Sequence, residues 1–138
     1  MNIYFAGSIR GGRGDAGLYN QIILFLKRFG NVWREHIGSA SLTESGDNGV
    51  TDSFVHDQDM NWLMTSDVIV AEVTTTSAGV GYEIGRAVAL GKKVICLYRE
   101  QPGKRLSAMI AGCPLLTVVK YQKPEEAETA ITEFLSGV

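Results

Sequence analysis

Two acidic residues and one glycine-rich loop carry the chemistry that this sequence offers. Glu83 follows Thr74-Thr75-Thr76-Ser77-Ala78-Gly79-Val80-Gly81-Tyr82, a stretch of small residues and hydroxyls that opens a helical pattern. A glutamate in the first turn or two of a helix often does no more than complement the helix dipole. The same position also keeps a carboxylate ionised and available as a nucleophile. Asp59 lies in His56-Asp57-Gln58-Asp59-Met60-Asn61-Trp62. Helical spacing puts it on the side of Val55, Trp62 and Leu63, where a freely solvated acid is out of place. One reading is a buried acid capping a neighbouring backbone group. The other pairs it with Glu83, since retaining glycoside cleavage needs one carboxylate as nucleophile and one as proton donor.

The loop reads Gly7-Ser8-Ile9-Arg10-Gly11-Gly12-Arg13-Gly14. Its glycines let the backbone approach a ligand and turn N–H groups inward. Ser8 adds a hydroxyl, and Arg10 and Arg13 add planar forks suited to phosphate. It lacks the Gly-Lys-Ser/Thr of a Walker loop. Gly79-Val80-Gly81 is similar to a dinucleotide fingerprint, but the third glycine comes one place late, at Gly85, and the motif follows the third strand. Nicotinamide dinucleotide binding is therefore not expected, and no cofactor is. Free N–H groups beside Ser77 suit a phosphate instead. His36 and His56, even with Asp57, match no standard metal spacing, so no metal is expected. Trp33 and Trp62 are expected in the core.

The elements that must position these residues alternate between strand and helix. Strands are expected over Ile3–Ala6, Asn31–His36, Asp67–Val73, Lys93–Tyr98 and Leu115–Val119. Helices are expected over Asp15–Phe29, Ser53–Thr65, from Thr76 or Ser77 to Leu90, over Arg105–Ala111, and from Pro124 onward. Asp52 or Ser53 should cap the second helix, and Gly30 should follow the first as its C′ residue. The last helix should turn Ala127, Ala130, Ile131, Phe134 and Leu135 inward. Residues 38–52 read as a polar loop. Fully apolar strands alternating with helices imply an α/β domain whose parallel sheet is covered on both faces. With right-handed crossovers, five strands most often take the order 2-1-3-4-5. Ligands then bind at the carboxyl ends of strands one and three. Residues 7–14 and 73–80 fall there.

The 138 residues suit a single domain, 1–138. With 20% charged residues, a net charge of −2 and no long basic stretch, binding to a nucleic acid polymer is not expected. No apolar run approaches a membrane span, so no membrane partner is expected. Cys96 and Cys113 are expected as buried thiols, not a disulfide. The first residues lack the basic start and apolar run of a signal peptide. A cytoplasmic location is expected, or a nuclear one in a eukaryote.

Four stretches resemble the 2′-deoxynucleoside 5′-phosphate N-hydrolases of the nucleoside 2-deoxyribosyltransferase superfamily. They are Tyr4 to Arg13, Phe54 to Leu63, Gly79 to Lys92 and Leu106-Ser107-Ala108-Met109-Ile110. The resemblance covers nearly the whole chain in order, with residues 38–52 and 113–123 matching poorly. It implies a flavodoxin-like, Rossmann-like homodimer that cleaves deoxynucleoside monophosphates to free base and 2-deoxyribose 5-phosphate. It implies that Glu83 forms the covalent sugar intermediate and that Asp59 protonates the leaving base or positions the nucleophile. Tyr4 would hydrogen-bond near Glu83. Gly7, Ser8, Ile9, Arg10, Gly11, Ser77 and Gly79 would hold the 5′-phosphate, with Gly12 and Arg13 beside them. Ser107, flanked by Ala108 and Met109, would reach the substrate from the other subunit. A deoxyribosyltransferase, a cytidine-nucleotide hydrolase and a non-catalytic nucleotide sensor are the competing readings.

Overall fold

The computed structural model describes residues 1–8, 16–33, 51–75 and 77–138. Five strands form one parallel sheet: β1 (Asn2–Ala6), β2 (Asn31–Trp33), β3 (Val68–Glu72), β4 (Lys93–Arg99) and β5 (Leu116–Tyr121). Their order is β2-β1-β3-β4-β5, as the alternating pattern implies. The helices are α1 (Ala16–Leu26), α2 (Asp52–Thr65), α3 (Ala78–Ala89), α4 (Ala108–Ala111) and α5 (Pro124–Ser136). Side-chain alternation along the strands divides the core in two. Ile3, Phe5, Val68, Val70, Ile95 and Leu97 pack with buried residues of α1 and α5. Tyr4, Ala6, Ile69, Ala71, Val94 and Cys96 pack with Met60 and Leu63 of α2 and with Val80, Ile84 and Ala87 of α3. Each fully buried Ile or Leu in these layers stabilises the fold by about 1.5–3 kcal/mol.

Local chemistry moves several boundaries. α1 ends at Leu26, three residues short of the expected Phe29, because the chain tightens into a turn in which Phe29 N donates to Leu26 O at 2.9 Å. Gly30 is not a left-handed C′ residue. A Cβ there would stand 2.0 Å from the Met1 carbonyl oxygen, so close approach of two backbones excludes a side chain. α2 is capped by Thr51, whose Oγ1 accepts from Phe54 N at 3.1 Å, so Asp52 is the first helical residue and not the cap. α3 is capped by Ser77, whose Oγ accepts from Val80 N at 3.3 Å, and it stops before Gly91, at φ +74°. The helix expected over Arg105–Ala111 shrinks to α4, since Ser107 Oγ caps it by accepting from Met109 N at 3.2 Å. β3 omits Asp67, whose carboxylate accepts the Asn2 N–H at 2.7 Å, and Val73. β5 runs to Tyr121, two residues beyond the expected Val119. Residues 34–36 of the expected second strand, the loop up to residue 50, Asp15 and Thr76 lie outside the described residues.

Both cysteines are free. Burial, with a smaller contribution from Cys113, pushes the Cys96 thiol up to about 12. Cys113 is only half-buried, because it lies in the connection between α4 and β5 and not within the sheet. Ala127, Ile131 and Leu135 of α5 are buried, and Ala130 and Phe134 pack against them. No described helix is long and apolar enough to cross a membrane.

Candidate active site

The site grows from the middle of β1. Alternation turns Tyr4 toward α2 and α3, between Ile3 and Phe5, which face the opposite core. In register, Tyr4 lies beside Trp33 of β2 and Ile69 of β3. Its ring is fully buried, and its hydroxyl donates a short hydrogen bond to Glu83 Oε2. Glu83 sits in the second turn of α3, between the inward-facing Val80 and Ala87, and is 7% exposed. A carboxylate that deep requires a donor, and the tyrosine supplies one and fixes the oxygen's direction.

Asp59 is equally buried, at 7% exposure. It is the residue before Met60 and one turn before Leu63, both in the core layer that α2 shares with α3. The two helices pack on each other over the Tyr4 face of the sheet. Thus Tyr4, Asp59 and Glu83 all belong to one layer, although 79 positions separate Tyr4 from Glu83. Trp62, three residues beyond Asp59, stacks on Trp33 with ring centroids 5.4 Å apart and planes 13° apart. The stacked pair is half-buried and packs against the core of this layer, where both were expected.

At the carboxyl end of β1 the chain turns through Gly7 and Ser8. A Cβ at Gly7 would lie 3.1 Å from the Phe5 ring and 3.2 Å from that of Tyr19, so only glycine lets the chain leave β1 along this line. The Ser8 N–H donates to the Tyr19 hydroxyl at 3.3 Å. Ser8 Oγ is fully buried and has no hydrogen-bond partner among the described residues. Buried hydroxyls are nearly always paired. Ser77 and Gly79, at the start of α3, follow β3, the neighbouring strand. Ile9, Arg10, Gly11, Gly12 and Arg13 lie outside the described residues.

Ser107, Ala108 and Met109 are surface residues at the start of α4, and Met109 is 82% exposed. Nothing described joins them to Tyr4, Asp59 or Glu83 within one protomer. His56 bonds Asp57 at 2.9 Å and the Tyr82 hydroxyl at 2.8 Å, and Arg86 donates to that hydroxyl at 2.6 Å. This network lies at the surface, and His36 is outside the described residues. Among the described residues no three His, Cys, Asp or Glu side chains are grouped as a metal site. A groove of about 510 Å³ lined by Lys92, Val94, Pro114 and Phe134 opens at the amino ends of β4 and β5, away from these acids.

One buried acid escaped the reading of the sequence. Glu72 ends β3 at 0% exposure, and its carboxylate accepts from the Tyr121 hydroxyl and from Thr74. The available signal was an acid closing an otherwise apolar strand.

Comparison with known proteins places the chain among relatives. A family model described as nucleoside 2-deoxyribosyltransferase matches residues 3–113. A 5-hydroxymethyl-dUMP N-hydrolase of Danio rerio is 51% identical over 137 residues, covering 97% of this chain and 95% of that protein. One of Mus musculus is 54% identical over 140 residues, covering 99% and 80%. The solved structure of a CMP N-glycosidase of Clostridium botulinum superposes with a TM-score of 0.71 over 97% of this chain and 99% of that one. At 20% identity that likeness speaks for the fold alone.

Proposed function

Because this chain belongs to the nucleoside 2-deoxyribosyltransferase family, we propose that it hydrolyses the N-glycosidic bond of 2′-deoxynucleoside 5′-monophosphates. The products are the free base and 2-deoxyribose 5-phosphate. The hydrogen bond from Tyr4 to Glu83 is the observation that carries this reading. It holds a buried carboxylate in one direction, as an attacking group requires. Glu83 attacks C1′, the C1′–N bond breaks with its electron pair going to the base, and Asp59 protonates the departing nitrogen. Water then attacks C1′ and loses its proton to Asp59. The ester bond breaks and the Glu83 carboxylate is restored. Gly7, Ser8, Ser77 and Gly79 hold the 5′-phosphate with Ile9, Arg10, Gly11, Gly12 and Arg13. The Ser8 Oγ, unpartnered among the described residues, supports that assignment.

The names of the relatives from Danio rerio and Mus musculus support 5-hydroxymethyl-dUMP as a substrate. The working unit is a homodimer in which Ser107, beside Ala108 and Met109, meets the partner's substrate. The exposed Met109 and Leu115, at 82% and 69%, support an interface there. The cytoplasm is its place of action, or the nucleus in a eukaryotic cell.

The test is a panel of deoxy- and ribonucleoside 5′-monophosphates, including 5-hydroxymethyl-dUMP, with their unphosphorylated nucleosides, followed by chromatography of released base. Release from deoxynucleoside monophosphates alone is expected. Base exchange between unphosphorylated nucleosides would instead make the protein a transferase. Binding without release would make it a sensor.

A further inference from the structure

On the face of the sheet opposite Glu83, a second tyrosine–glutamate pair is buried. Glu72 follows the side-chain parity of Val68 and Val70, which face α1 and α5, and Tyr121 belongs to that same core. Glu72 Oε1 accepts the Thr74 N–H at 2.8 Å, and Oε2 accepts the Thr74 hydroxyl at 2.9 Å together with the Tyr121 hydroxyl. Thr74 Oγ1 in turn accepts the Arg99 N–H at 2.9 Å, and the Val73 N–H donates to the Leu97 carbonyl at 2.9 Å. The chain leaving β3 is therefore tied to the end of β5 through the Glu72 carboxylate, and to the end of β4 through Thr74 Oγ1 and the backbone bond of Val73.

We propose that Glu72 is a positioning residue. With Tyr121 and Thr74 it clamps the turn after β3, and so sets where Ser77 and the first N–H groups of α3 meet the substrate's phosphate. A fully buried carboxylate loses its hydration, and apolar residues usually stabilise such a position at least as well. What the acid supplies is direction. Its two oxygens accept both donors of Thr74, which ends the strand at a defined residue and starts the turn at a defined angle. Three residues later Ser77 caps α3, the helix that carries Glu83. Glu72 lies on the far face from Glu83 and acts only through this turn. The phosphate part rests on the monophosphate reading above.

Tyr121→Phe removes one donor from the clamp without opening a cavity, and Glu72→Gln keeps an acceptor for the Thr74 N–H. For Tyr121→Phe the KM for 5-hydroxymethyl-dUMP should rise about tenfold, the cost of one hydrogen bond to a charged group, with kcat changed less than about twofold. Inhibition by 2-deoxyribose 5-phosphate should weaken by the same factor. Glu72→Ala should be worse on both measures, and Glu72→Gln should recover part of the loss. Backbone amide exchange over residues 73–81 should quicken in Tyr121→Phe while β1 and β4 stay protected. An unchanged KM, or exchange that rises evenly across the sheet, would overturn the clamp. If the wild-type protein releases no base from any monophosphate, the reaction reading falls and the exchange experiment still decides the clamp.

Discussion

Tyr4 donates its hydroxyl to the Glu83 carboxylate, joining the middle of the first strand to the second turn of the third helix. Both groups lie beneath the surface, Tyr4 at 0% and Glu83 at 7% exposure. In that medium the bond is stronger than in water and the geometry less free to drift. In the proposed reaction, a carboxylate held in this way loses little entropy on approaching C1′.

Glu83→Gln keeps the size of the side chain and an acceptor for Tyr4, but removes the oxyanion that the proposed attack needs. Turnover should fall by at least about a thousandfold while the melting transition stays cooperative. With a slowly hydrolysed 2-fluoro-2-deoxy substrate, the wild-type protein should gain the mass of the sugar phosphate on Glu83. Full activity in the variant, or an adduct on another residue, would remove Glu83 from the mechanism. Tyr4→Phe should lower kcat about ten- to a hundredfold and alter KM less.

Asp59→Asn should preserve binding and slow base release. The pH profile of kcat/KM should lose one of the two limbs expected for an acid and a base acting together. A profile that keeps both limbs would make Asp59 a structural acid of α2.

Ser107→Ala should raise the KM for the monophosphate while leaving light scattering at the mass of two chains. A monomeric wild-type protein with undiminished activity would end the role given to Ser107, and with it that of Ala108 and Met109.

Glu126 predicts a pH effect on stability. Its Oε1 accepts the N–H groups of Lys123 and Gln122, each at 2.8 Å, at the start of α5. These bonds hold its carboxyl below the usual carboxylate range. A depressed folded-state value means the contribution is present above the unfolded value and is lost as pH falls through the folded one. Glu126→Ala should therefore lower Tm by a few degrees at pH 7, and the gap to wild type should close as the solution is acidified. A gap independent of pH would show that the ionised carboxylate of Glu126 does not stabilise this helix start.

Elements were legible where their signals were local. The apolar run from Val68 and the inner face of α5 at Ala127, Ile131 and Leu135 stand in the sequence as they stand in the fold. The caps were less so. Thr51, Asp52 and Ser53 all have cap-forming side chains, and only the path of the chain entering α2 selects Thr51. Gly30 was legible as punctuation, yet its cause is a backbone 29 residues away in sequence.

The sequence by itself determined the alternation of strand and helix, hence the sheet order, and hence that the loops after β1 and β3 share one end of the sheet. Those follow from hydrophobic period and crossover handedness, which are read within a dozen residues at a time. Helical spacing had already set Asp59 on an inner face, and the family resemblance had set Tyr4 near Glu83. Only the tertiary structure decided the bond between Tyr4 and Glu83 itself and that Glu72 turns the other way to meet Tyr121. Such pairings depend on strand register and helix packing, where a shift of one residue turns a side chain to the opposite face.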